Sequence, residues 1–106
     1  MSNRKPNTRQ NGEKFLEEDR NKVWEKAEKI SGKNPHKFRK DRCGATIEFE
    51  QYGNKFSGYG WEIDHIIPVS KGGDDELSNL QPLHRENNAA KSDDPDIPSE
   101  YCKVKN

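Results

Sequence analysis

The sequence predicts a small α+β domain: an N-terminal helix, an additional β-strand or hairpin, and a closing strand–strand–helix unit. Three observations carry this. Residues 13–30 (EKFLEEDRNKVWEKAEKI) contain neither Gly nor Pro, and Leu16, Val23, Ala27 and Ile30 fall at steps of seven, four and three, one stripe of a helix. Residues 45–51 (ATIEFEQ) alternate Ile47 and Phe49 with polar neighbours, as a half-exposed strand does. Residues 61–69 (WEIDHIIPV) are rich in β-branched side chains, and a second short strand at 80–83 leads into RENNAAK, two helical turns over 85–91.

The first helix is expected to pack through its stripe, widened by Phe15 and Trp24. Acids come early and Lys29 late, as the helix dipole prefers, and Gly32 serves as the stop. Residues 33–42 (KNPHKFRKDR) read as a basic loop around Pro35. Tyr52, Gly53 and Asn54 end the first strand, and SKGGDDELSN is a long loop in which Gly72 and Gly73 serve the turn. Residues 1–12 are polar and expected to be disordered, 13–93 to form a single domain, and 94–106, with Pro95 and Pro98, an irregular tail.

Composition sets bounds. The chain has 106 residues, 27% of them hydrophobic and 36% charged, so one small core is expected and a bound metal is one way to supplement it. The formal net charge is zero, so no global attraction to a polyanion is supplied. Charge is uneven, however. Residues 33–42 are basic and 93–100 acidic, which suits a polyanion on one side only. Two cysteines, Cys43 and Cys102, exclude a four-cysteine zinc site and leave a disulfide open. No apolar run approaches a membrane span, and MSNRKPNTRQNG has no apolar core of a signal peptide. The default expectation is the cytoplasm, with both thiols reduced.

The chemistry centres on Asp64–His65, a carboxylate beside an imidazole in an otherwise apolar strand. Neighbours on a regular strand face opposite ways, so the strand must bend or end here if both serve one site, and Pro68 agrees. Asn79 closes the glycine loop, Asn88 lies nine residues later, and Lys91 follows on the same helical face. Strand, loop, strand and helix thus gather Asp64, His65, Asn79 and Asn88. The oxygens of Asp64 and Asn88 suit hard cations such as Mg²⁺ or Mn²⁺.

WEIDHIIPVSKGGDDELSNLQPLHRENNAAKSD closely resembles the HNH endonuclease motif: Asp-His, a Gly-Gly loop, Asn-Leu-Gln, then Asn and Lys nine and twelve residues on. The resemblance is strongest over 59–93 and extends more loosely back to Val23, through VWEKA, FRKD and YG. It implies a ββα-metal (His-Me finger) core, a hairpin packed on a helix around one metal. It makes Asp64 a metal ligand and His65 the general base. Asn79 becomes the residue that fixes the loop and helps orient the histidine through the backbone. Asn88 stands where the family's name has its final His, an H-N-N variant that implies an oxygen-rich site for Mg²⁺ or Mn²⁺, with Zn²⁺ or Ni²⁺ as alternatives. The implied reaction is hydrolysis of double-stranded DNA to a 5′-phosphate and a 3′-hydroxyl.

Each further candidate has a plainer reading. Lys91 is a phosphate ligand or a solvated lysine at a helix end. His84 approaches metal or phosphate, or caps the helix. Glu62 shares the Asp64 strand face and orients a cation, or pairs with an arginine of 37–42. Lys37, Arg39, Lys40 and Arg42 contact DNA phosphates, or form a solvated basic loop. His36 is expected to be exposed, and Trp61, Ile63, Ile66, Leu80 and Leu83 to be core. No recognition helix or finger array is visible, so weak sequence preference or targeting by a partner protein is expected, and the choice between monomer and homodimer stays open. The alternative to an enzyme is a non-catalytic DNA-binding or structural module that retains the fold.

Overall fold

In the computed structural model, which describes residues 5–106, the first helix is shorter than its apolar stripe. Helix α1 runs Glu17–Trp24, with Glu17, Glu18 and Asp19 in its first turn and the Leu16 amide donating to Asp19 Oδ2 at 3.0 Å. Helix is not continued to residue 30, because the chain turns back to join a sheet. Lys26 and Ala27 donate to carbonyls three residues back, Val23 and Trp24. The Arg39 guanidinium takes the carbonyls of Glu25 and Ala27, each at 3.2 Å, which a continuing helix would have used internally. Of the stripe, Val23 and Ala27 are buried while Leu16 is exposed.

A three-stranded antiparallel sheet follows in the order β1 (Glu28–Lys29), β2 (Phe38–Lys40) and β3 (Thr46–Glu48). Lys40 stands opposite Glu28 and Thr46, and Arg39 opposite Ile47. The basic stretch is therefore partly strand, a correction to the loop expected there. The strand expected over 45–51 ends at Glu48, and Phe49–Gln51 is a 3₁₀ turn.

The second sheet is the antiparallel pair β4 (Trp61–His65) and β5 (Leu80–His84), followed without a break by helix α2 (Arg85–Lys91). Pro82 sits opposite Ile63 inside β5. Ile63 donates its amide away from the ladder, to Asn7 Oδ1 at 2.7 Å, so this pair exchanges no ladder hydrogen bond and the missing proline N–H costs nothing. Trp61 and Ile63 face the main core, where Trp61 packs against Trp24 (5.2 Å between ring centres), Tyr52 (4.9 Å) and Phe49 (6.4 Å). Glu62 and Asp64 turn to the opposite face, as strand alternation requires.

Both termini differ from expectation. Residues 1–4 of the expected disordered stretch lie outside the described residues. Residues 5–12 form a turn: Thr8 bridges to Lys14, and Gln10 and Asn7 reach the 61–79 region. The tail contains a helical turn, α3 (Pro98–Tyr101), with Tyr101 buried. Buried Asn87 fastens the chain beyond it, accepting from the amides of Lys103 and Val104 and donating to the Val104 carbonyl. Cys43 and Cys102 are joined as a disulfide with Cα atoms 5.6 Å apart. This corrects the expectation of two reduced thiols. Among the described residues no helix is long and apolar enough to cross a membrane.

Candidate active site

β4 ends at His65, before Pro68, and the chain turns into the glycine loop. That loop is held tightly. Gly72 has a φ of 91°, a left-handed turn, and a side chain at Gly73 would bring its Cβ to 1.7 Å of the Ile67 carbonyl oxygen. Asn79 closes it from inside. Its Oδ1 accepts from the Ile67 amide at 2.8 Å and its Nδ2 donates to the carbonyls of Asp74 (2.9 Å) and Ile67 (3.2 Å). The Asn79 carbonyl takes the Ile66 amide at 2.8 Å. Asn79 thus fixes the two residues directly after His65 without touching the imidazole.

Glu62, Asp64, His65 and Asn88 line one cleft of about 420 Å³. Asp93 joins them, and among the described residues the cleft's cations are Lys5, Lys55 and Arg85. Asp64 is buried. Its carboxylate pairs with Lys91 Nζ at 3.2 Å and accepts from Gln81 Nε2 at 2.9 Å. Burial nevertheless raises its pKa, against the pull of Lys91 and Gln81. Glu62 is raised too, chiefly by burial, against the Asn88 hydrogen bond and the charges of Arg85, Lys55 and His84. Asn88 donates Nδ2 to Glu62 at 2.7 Å, which leaves its amide oxygen for another partner. His65 places Nε2 2.8 Å from Asp75 Oδ1 and stacks at 5.7 Å from Phe15.

Several candidates lie elsewhere. Lys91 is 1% exposed and is neither phosphate ligand nor solvated lysine; its ammonium serves Asp64 and the His65 carbonyl (3.0 Å). His84 is buried as the cap of α2. It accepts from the Glu86 amide through Nδ1, and its Nε2 lies 2.7 Å from the Gly58 carbonyl oxygen, so it does not reach a metal or phosphate at the cleft. Glu62 pairs with Asn88 and not with an arginine of 37–42. Arg39, only 3% exposed, is spent on Glu25, backbone carbonyls and the Trp24 ring, so it is no phosphate contact. Arg42 pairs with Asp96. Lys37, Lys40 and Arg42 do not line the cleft; Lys37 and His36 are exposed.

Asp75, Gln81 and Asp93 escaped the sequence reading. Gln81 carried a signal as the Gln of Asn-Leu-Gln. Nothing in the run Asp74–Asp75–Glu76 distinguishes the middle residue, because its role depends on where the loop folds back.

The family model for the HNH endonuclease matches residues 41–94, a little over half of the chain. The chain belongs to the HNH endonuclease family. No curated protein and no solved structure gives a match. The HNH segment begins at Asp41, a buried carboxylate that no strand pattern predicts. Asp41 accepts from the His84 amide (2.9 Å), Asn87 Nδ2 (3.1 Å) and the amides of Cys43 and Ala45 (2.9 Å each). It thereby locks the β2–β3 turn to the junction of β5 and α2. The family is one of nucleases, and all four cleft-lining candidates fall inside the matched residues.

Proposed function

We propose that this HNH protein is a metal-dependent endonuclease that hydrolyses phosphodiester bonds of double-stranded DNA. The observation that carries the reading is the convergence of Asp64, His65 and Asn88 on one cleft inside the family-matched segment. In this reading β4, β5 and α2 are a ββα-metal core of the H-N-N kind, within a single domain spanning about 13–93. Asn79 supports it by fixing the chain next to His65.

The donor set can be tested against a metal. Among the described residues no group of three or more His, Cys, Asp or Glu side chains is placed to hold a metal ion. The Asp64 carboxylate and the Asn88 oxygen would suit Mg²⁺ or Mn²⁺, since such ions keep waters and take phosphate oxygens for the remaining positions. When bound, the cation neutralises charge developing on the phosphate and the leaving 3′ oxygen.

The chain's own residues do the rest. His65 takes a proton from a water that attacks phosphorus in line. The bond to the 3′ oxygen breaks and the departing oxygen takes a proton from solvent, leaving a 5′-phosphate and a 3′-hydroxyl. Lys5, Lys55 and Arg85 would bind the DNA backbone at the cleft, replacing Lys37, Arg39, Lys40 and Arg42 in that role. One such site cuts one strand, so nicking with weak sequence preference is the default, and double-strand cutting would take two copies.

The test is conversion of supercoiled plasmid to open circle with Mg²⁺ or Mn²⁺. Cleavage is expected to stop with EDTA and to be lost, together with calorimetrically measured Mn²⁺ binding, in Asp64→Ala. A purified protein that binds DNA yet never nicks it with either ion would sink the enzyme reading in favour of a binding module.

A further inference from the structure

We propose that Asp75 is a positioning residue for His65: its carboxylate holds the Nε2–H and thereby presents Nδ1 as the nitrogen that accepts the proton. The inference rests on the endonuclease reading above and adds to it a residue and a choice of nitrogen.

Four observations point the same way. His65 Nε2 is 2.8 Å from Asp75 Oδ1, while no hydrogen-bond partner of Nδ1 is found among the described residues, and His65 lines the cleft. A carboxylate is an acceptor, so the ring nitrogen facing it carries the hydrogen and the other keeps its lone pair. Asp75 is itself aimed by groups other than the histidine. The Gln10 amide donates to both of its oxygens at 2.9 and 3.1 Å, and Arg9 Nε stands 4.0 Å away. The residue before it is tied by Asn79, whose Nδ2 donates to the Asp74 carbonyl at 2.9 Å.

Phe15, 5.7 Å from the imidazole, limits the tilt of the ring but cannot distinguish its two nitrogens; the carboxylate can. The proton balance is simple. Water gives its proton to Nδ1 as its oxygen attacks phosphorus, and the imidazolium so formed lies against the Asp75 carboxylate, which stays ionised. Orientation of the base then draws on the turn at residues 9–10, which lies outside the family-matched 41–94.

The experiment compares wild type, Asp75→Ala and Asp75→Asn in two ways. One is a ¹H–¹⁵N spectrum of the histidine side chains without metal. The other is single-turnover cleavage of plasmid at saturating protein with Mn²⁺, alongside DNA affinity. Wild type should show a protected, downfield Nε2–H of His65. Asp75→Ala should lose that signal and cleave roughly 10–100-fold more slowly, with DNA binding no weaker. Asp75→Asn can still accept from Nε2–H and the Gln10 amide. It should recover the signal and most of the rate together. The proposal is overturned if Asp75→Ala cleaves at the wild-type rate, if His65 in wild type carries its hydrogen on Nδ1, or if the rate falls only in step with DNA binding or folded fraction. Should no protein cleave while the spectra behave as described, the endonuclease reading fails and the His65–Asp75 arrangement stands.

Discussion

The residues that back the cleft form an inner wall behind Asp64 and an outer wall behind His65, built on different principles. The inner wall is buried charge. Asp64, Lys91 and Gln81 meet in the interior, all from the β4–β5–α2 unit and all within the family-matched residues. The outer wall consists of a few hydrogen bonds, running from buried His65 through half-exposed Asp75 to the amide of exposed Gln10, and from half-exposed Asn7 to the Ile63 amide of β4. Charges taken out of water punish the loss of a partner severely, while exposed ones are cushioned by solvent. The inner wall should therefore govern whether the protein folds, and the outer wall how its histidine is presented.

The largest effect should follow Lys91→Ala, which strands the Asp64 carboxylate in the interior. A loss of about 3–5 kcal/mol is expected, read from the denaturant midpoint. A loss below ~1 kcal/mol would mean that the inner wall is wetter than described. Next comes the disulfide. It closes a loop over a separation of 59 residues, for which chain entropy gives about 4 kcal/mol. Thermal unfolding with and without reductant should show a large drop in Tm. Asn79→Ala is third, at about 1–3 kcal/mol for buried partners left unsatisfied. Its interest lies at the boundary between the walls: it should also slow cleavage, because Asn79 ties both Ile67 and Asp74.

The smallest effect belongs to the outer wall. Burial pushes Asp75 up, but hydrogen bonds from His65 and the Gln10 amide, with the charges of His65 and Arg9, bring its pKa below the ordinary carboxylate value. A depressed carboxylate stabilises the fold fully above its unfolded value, about 3.9, and that contribution disappears as pH falls through the lowered folded value. Stability measured between pH 5 and pH 2 should thus fall slightly less steeply in Asp75→Asn than in wild type. An identical slope would show that Asp75 makes no net gain from its partners.

The two walls also differ in how far the sequence discloses them. β4, β5 and α2 follow from local pattern: β-branched alternation, Pro68 as a stop, and a Gly-free helical run whose bounds match RENNAAK. Asp64, His65 and Asn88 could accordingly be placed near one another before any coordinates. Lys91 could not be read, because a lysine in the last turn of a short helix looks solvated until the strand that covers it is known. Arg39 misleads for the same reason. Within KNPHKFRKDR it resembles one more surface cation, yet it closes the carbonyls left open where α1 stops. The outer wall was invisible. Asn7, Gln10 and Asp75 meet their partners across separations of 56, 65 and 10 residues, and no periodicity reports such pairings.

The central claim is that His65 is the base and that Asp64 and Asn88 hold the ion. The most direct test is the single-turnover rate of plasmid nicking by His65→Ala at a Mn²⁺ concentration that saturates the wild type. The account predicts a folded protein that still binds Mn²⁺ and DNA while cleaving about 10²–10⁴-fold more slowly. Cleavage within a few-fold of wild type would contradict it and take the proton transfer away from His65.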